Sequence, residues 1–230
     1  MKLTTHHFKP FTIALAFAVL SLSGCGEDHH GYDHGGGPPP TYTAKILSDP
    51  AFDGDIEQTS STTYAITQGM SAGVQSVFVG IDPVAMTEFR TFLDFPLTGT
   101  GGVPGNAVIE SAYLNIYVNS LQPITGAIPI RVELVSFHPP TLIGTDFDRT
   151  VQPPLAFIIA NPPFDRTDVG FNASINVTSL MVRAQQSNLL DFQVRIMEDL
   201  GPAIPVLMEI NDTTGASRAT RAPLLTVTYH

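Results

Sequence analysis

Three groups of residues in this sequence have the types and spacing that chemistry needs. Gly69-Met70-Ser71-Ala72-Gly73 matches the G-x-S-x-G elbow. In that motif a serine on a sharp strand-to-helix turn becomes a nucleophile, served by an acid and a histidine later in the chain. Here Val74 to Val79 reads as a strand, and the histidines downstream are His138 and His230. The match therefore reads as a loop before a strand, and no catalytic residue is assigned. The second group is acidic. Asp49, Asp53, Asp55 and Glu57 crowd one stretch, and Asp146 and Asp148 flank Phe147. Calcium takes roughly six to eight oxygens, often from such loops, so it is the one cofactor the pattern admits. Neither set has EF-hand spacing, and acid that merely keeps a loop solvated gives the same pattern. The third group is His29, His30 and His34 with Glu27, Asp28 and Asp33. Imidazoles and carboxylates suit Zn, Ni or Cu. A polar tether has no second shell to orient them, so modest affinity is expected, and a solvated linker is the competing reading.

Other singled-out residues read as structural. Arg90 and Asp94 fall on one side of a strand, where pairing with neighbouring strands is worth roughly 0.2–1 kcal/mol each. Phe137, Phe147, Phe157 and Phe164 sit in Pro-rich segments. They either line a groove or plug the ends of the sheets, the ordinary fate of large apolar side chains.

Cys25 is the only cysteine, so no internal disulfide forms. It follows a basic start (Lys2, Lys9), an apolar run from Phe11 to Leu20, and Leu22-Ser23-Gly24. That order is the pattern of a secretory signal, and the run is shorter than the roughly 20 residues that span a bilayer. Residues 1–24 are predicted to be removed on export. The Leu-Ser-Gly-Cys ending resembles the bacterial lipobox. The resemblance implies cleavage before Cys25 and its acylation by two or three chains, each buried methylene contributing about 0.8 kcal/mol. Gly26, rather than Asp, implies by the same resemblance transfer to the outer membrane, with the protein on its periplasmic or cell-surface side.

Residues 1–24 hold two lysines and no acid. The remainder has 9 basic against 21 acidic residues, a formal charge of −12. Such a chain repels phosphate backbones, so nucleic acid is excluded as a partner.

Elements must position whatever acts. Residues 25–42, dense in Gly, Pro and His, bury too little to offset their entropy and are predicted to be a tether. From residue 43 to 230 the texture is β. Ala112, Leu114, Ile116 and Val118 alternate with polar or half-polar neighbours. So do Ile130, Val132 and Leu134, then Phe192, Val194 and Ile196, then Val206, Met208 and Ile210, and last Leu225 and Val227. Period-two alternation gives a sheet with one buried side. Turn clusters such as 98–106, Pro153-Pro154, Pro162-Pro163 and 211–217 separate the runs. One short helix is predicted near 177–186, started by Asn176 to Ser179, with Leu180, Met181 and Ala184 on one face. The fold class is all-β, a two-sheet antiparallel sandwich of jelly-roll type.

Several segments occur in a recognisable order: Ser76 to Gly80, Arg90-Thr91-Phe92-Leu93-Asp94-Phe95, Val108 to Val118, Ile175 to Leu180, and Ala222 to Tyr229. This order resembles the DNRLRE-type β-sandwich domain of bacterial surface proteins across residues 44–230. The resemblance implies a jelly-roll-like sandwich, and some relatives bind polysaccharide. The chain departs from them in having no Trp. The expected function is a non-catalytic module on a membrane-anchored lipoprotein, serving structure, adhesion or contact with other envelope proteins. Carbohydrate binding through its Phe and Tyr rings is the alternative, with the ligand residues unassigned.

Overall fold

The alternation read at 112–118 belongs to a 14-residue strand that organises everything around it. The computed structural model describes residues 37, 39–137, 141–199 and 205–230, and Pro38–His230 form one compact unit. In chain order the strands are β1 (Tyr42–Leu47), β2 (Gly54–Gln58), β3 (Tyr64–Gln68), β4 (Ser76–Ile81), β5 (Glu88–Pro96) and β6 (Ile109–Gln122). They continue with β7 (Ile130–Val135), β8 (Ala156–Ile159) and β9 (Asn172–Asn176), and after helix α1 (Thr178–Gln186) with β10 (Asp191–Glu198) and β11 (Leu207–Asn211). A four-residue helix α2 (Arg218–Arg221) precedes β12 (Leu224–Tyr229). The all-β antiparallel body with one short helix near 177–186 is therefore observed, and every strand pairing is antiparallel.

Hydrogen bonding follows one curled path, β1-β12-β6-β11-β4-β5-β10-β7-β8, with β9 added to β6 and the β2–β3 hairpin added to β5. The path is continuous because β6 changes partners: residues 109–117 pair with β12 and β9, and residues 118–122 with β11. Inward side chains from both stretches share one core. Leu114, Ile116, Val118, Val79, Leu93, Phe95, Val132, Val194 and Leu225 all belong to it. Burying each such side chain contributes about 1.5–3 kcal/mol. Leu180, Met181 and Ala184 bring α1 into the same core. Asn176 Oδ1 accepts from the Thr178 N–H at 3.0 Å at the helix start. The helix closes at Asn188, whose φ of 53° is the left-handed stop that ends many helices.

The polar side of the sheet departs from the simple reading. Glu133, Gln193 and Arg195 alternate with core residues as solvent-facing positions do, yet they are 0%, 4% and 0% exposed. Residues 141–155, between β7 and β8, fold back over the outer face of β2, β5, β10 and β7. There Leu142 and Phe147 join Ile56, Phe92, Val135 and Phe137 in a second, smaller core.

Candidate functional site

Cys25, His29, His30 and His34, with Glu27, Asp28 and Asp33, lie outside the described residues, as does His138. Ser71 is described, and its hydroxyl is committed to a turn: Oγ accepts from the N–H groups of Gly73 (3.3 Å) and Val74 (3.2 Å). β4 follows, so the strand-to-helix turn that exposes a nucleophile is not formed. His230 Nδ1 faces Glu110 Oε1 at 2.9 Å.

The acids near the start of the unit do not converge on one point. Asp49 Oδ1 accepts from the Ala51 N–H at 2.9 Å, turning the chain locally. Asp53 faces inward to Asp94 and Asp212. Asp55 serves the backbone of β4, which meets β5 only at Gly80 and Ile81 and then splays away. Beyond the splay the Phe78 N–H donates to Asp55 Oδ2 at 3.0 Å, and the Phe78 carbonyl accepts from Thr91 Oγ1 at 2.7 Å. These side chains replace a missing strand partner, which a buried backbone requires. Burial pushes the Asp55 carboxyl up to about 7, against the Phe78 bond and with help from Glu57. Asp146 Oδ2 accepts from Ile143 N–H, and Asp148 Oδ1 accepts from the Thr150 hydroxyl and N–H. The Thr150 bonds hold Asp148 below the usual carboxylate range. Among the described residues, no three His, Cys, Asp or Glu side chains gather as a metal site.

The largest concentration of function-capable groups is on the covered outer face. Arg195 Nε and Nη2 both donate to Glu133 Oε2, at 2.9 and 2.7 Å, and the same guanidinium donates to the carbonyls of Asp146 and Gln152. Glu133 Oε1 also faces Arg131 Nε at 2.9 Å and Arg149 Nε at 2.8 Å, and Arg131 reaches Asp199 at 2.9 Å. Arg90 lies over the Phe147 ring with its guanidinium carbon 3.8 Å from the centroid, paired with Glu88 Oε1 at 2.7 Å. Asp94, on the same strand, accepts from Gln193 Nε2 of the neighbouring β10 at 2.6 Å. Burial raises Asp94 to about 6, against that bond.

Where this layer reaches the surface it forms an open cleft of about 330 Å³ lined by Gln58, Ser61, Tyr64, Arg90, Phe147 and Arg149. Tyr64 and Phe147 pack at 5.3 Å between ring centroids. The cleft offers an amide, hydroxyls, the half-buried ring of Tyr64 and the side chain of Arg149, 40% exposed. Such a set suits neutral, hydroxyl-rich ligands, because Glu88, Glu133 and Asp148 offset the arginine charge. Of the four phenylalanines read as groove or plug, Phe137, Phe147 and Phe164 are buried plugs. Phe157 alone is exposed, its ring centroid 3.5 Å from the Arg131 guanidinium carbon. Tyr64 and Arg149 carried no motif that could have singled them out. Glu133 and Arg195 looked like solvated strand positions.

No protein-family model matches the chain, and no curated protein matches it.

Proposed function

We propose that this chain is an exported lipoprotein, cut before Cys25 and held to the outer membrane by acyl groups on that residue. Its all-β unit serves as a non-catalytic structural, adhesive or protein-interaction module at the envelope. The observation that carries this reading is the order of basic start, apolar run and Leu22-Ser23-Gly24-Cys25, followed by a Gly- and Pro-rich stretch and then a well-packed β unit. Intact-mass analysis of the membrane-derived protein tests it. A chain beginning at acylated Cys25 is expected, with Cys25→Ser shifting the protein out of the membrane fraction. An unmodified thiol on an uncut chain would remove the proposal. Crosslinking on intact cells, followed by mass spectrometry, identifies the envelope partner.

The second reading, a module for envelope or environmental polysaccharide, is favoured by the Tyr64–Arg90–Phe147–Arg149 cleft. Sugars are recognised by aromatic rings beside planar hydrogen-bonding groups, and here the half-buried Tyr64 ring stands in one cleft with the exposed Arg149 guanidinium. A glycan array with residues 41–230 decides it, and silence across plant, algal and bacterial polysaccharides would leave only the first reading.

A further inference from the structure

Asp53, before β2, and Asp212, after β11, meet in the interior from distant parts of the chain, both 0% exposed. Each has one oxygen accounted for. Asp53 Oδ1 accepts from the Asp94 N–H at 2.8 Å, and Asp212 Oδ1 faces Arg218 Nη1 at 3.2 Å. Arg218 also donates to the carbonyls of Thr213 and Ser48. The other oxygens, Asp53 Oδ2 and Asp212 Oδ2, are buried without a partner, and so is the hydroxyl of Ser48. Arg218 ties the Ser48 carbonyl to Asp212, and the Asp53 and Asp212 carboxyls act on each other there.

Two ionised carboxylates have only acceptors, so neither can satisfy the other. Each unsatisfied charged group in the interior is strongly unfavourable. Charge gives the same deficit: two carboxylates face one guanidinium. A single proton corrects both. We infer that Asp53 and Asp212 share one proton, bound to Asp53 Oδ2 and donated to Asp212 Oδ2. This bond forms an acid-dependent clasp between the β1–β2 loop and the β11–α2 loop. The proton belongs on Asp53 because Arg218 opposes the upward push of burial on Asp212, while Asp53 faces no cation. Burial, and then the Asp212 charge, push Asp53 well above the usual carboxylate range. Facing the pair are Ser48 from the end of β1, Asp94 of β5 through its N–H, and Arg218 from α2. The Asp94 carboxylate is turned to Gln193 of β10.

The clasp is intact at low pH and opens as pH rises through the pair's folded value, because the folded state binds the extra proton. Opening loosens the end of β1, where the Ser48 N–H bonds Pro223 O and Arg218 bonds the Ser48 carbonyl. Among the described residues β1 is an edge strand paired with β12 alone, and it is the strand into which residues 1–41 lead.

The test uses the full-length chain in detergent. In a pH series the wild-type infrared spectrum is expected to show the carbonyl band of a protonated carboxyl beyond those that Asp55 and Asp94 contribute. Asp53→Asn should lose that band. Its amide keeps an acceptor for Asp94 and places a donor where the proton was. The wild-type Tm is therefore expected to fall by several degrees between pH 6 and 9, and that of Asp53→Asn to fall less. A wild-type spectrum without the band overturns the inference whether or not the variant folds. So does a calcium-dependent rise in wild-type Tm that EDTA reverses and Asp53→Asn abolishes, since the free oxygens would then hold a cation.

Discussion

Arg195 of β10 stands directly opposite Glu133 of β7, and two of its nitrogens bond one oxygen of that carboxylate with both side chains 0% exposed. The pair does more than join two strands. By also bonding the carbonyls of Asp146 and Gln152, Arg195 fastens the β7–β8 segment onto the sheet and builds the floor beneath the Arg90–Arg149 cleft.

Removing one member of a buried ion pair leaves the other charged and unsolvated, at a cost of about 3–5 kcal/mol. Arg195→Met is expected to lower stability by that amount in chemical denaturation. Limited proteolysis should then cut first between residues 136 and 155. Cleavage elsewhere, with unchanged stability, would show that the segment is held by its apolar side chains alone.

The pH dependence of stability has a predictable sign. Asp55 and Asp94 titrate near 7 and 6 in the folded unit, against 3.8 as free side chains. Their contribution is fully present below about pH 4 and is lost as pH rises through 6 and 7. Asp55→Asn keeps an acceptor for the Phe78 N–H and cannot ionise. It should flatten the curve between pH 4 and 7 and be more stable than wild type at pH 8, as read by urea unfolding at each pH.

Gly80 adopts φ +107° in β4, and a Cβ there would stand 2.1 Å from the Val206 carbonyl oxygen. Gly80→Ala combines a conformation costing about 1–3 kcal/mol with a backbone clash. A loss of at least about 2 kcal/mol is expected, and a neutral substitution would mean that the β4–β11 approach relaxes freely.

For the carbohydrate reading, Arg149 is the informative residue, since its side chain is 40% exposed and Glu133 retains Arg131 and Arg195 without it. Arg149→Ala should weaken any glycan captured on an array about 10-fold or more, as expected for losing a charged hydrogen bond. Unfolding free energy should change by less than about 1 kcal/mol. Equal binding by wild type and variant would move the ligand away from this cleft.

Much of the strand framework was legible because β6, β7, β10 and β12 each carry an alternating run whose apolar side lines the main core. Helix α1 was legible from its short apolar stripe. The β2–β3 hairpin was not, because Gly54–Gln58 holds a single apolar residue, Ile56, and Tyr64–Gln68 lies on an edge with little buried. The arrangement of the acid cluster was not legible, for a geometric reason. Spacing along the chain puts Asp49, Asp53 and Asp55 together, but each is turned to a different backbone group. The residue that completes the Asp53 site, Asp212, is 159 positions away. Glu133 and Arg195 were unreadable as interior groups because alternation reports one covered face, and the second cover comes from a loop.

The first strand of the unit closes on the last: Tyr42 pairs with Tyr229, and the register runs without a break to Leu47 and Leu224. A chain threaded amino end first must carry β1 unpaired until nearly all that follows has arrived. Closing so long a loop adds only modestly to the equilibrium cost, but such distant contacts slow the search for them. Pairing at this seam is therefore among the last contacts to become available, and losing residues 224–230 would strip β1 of the one strand it pairs with among the described residues.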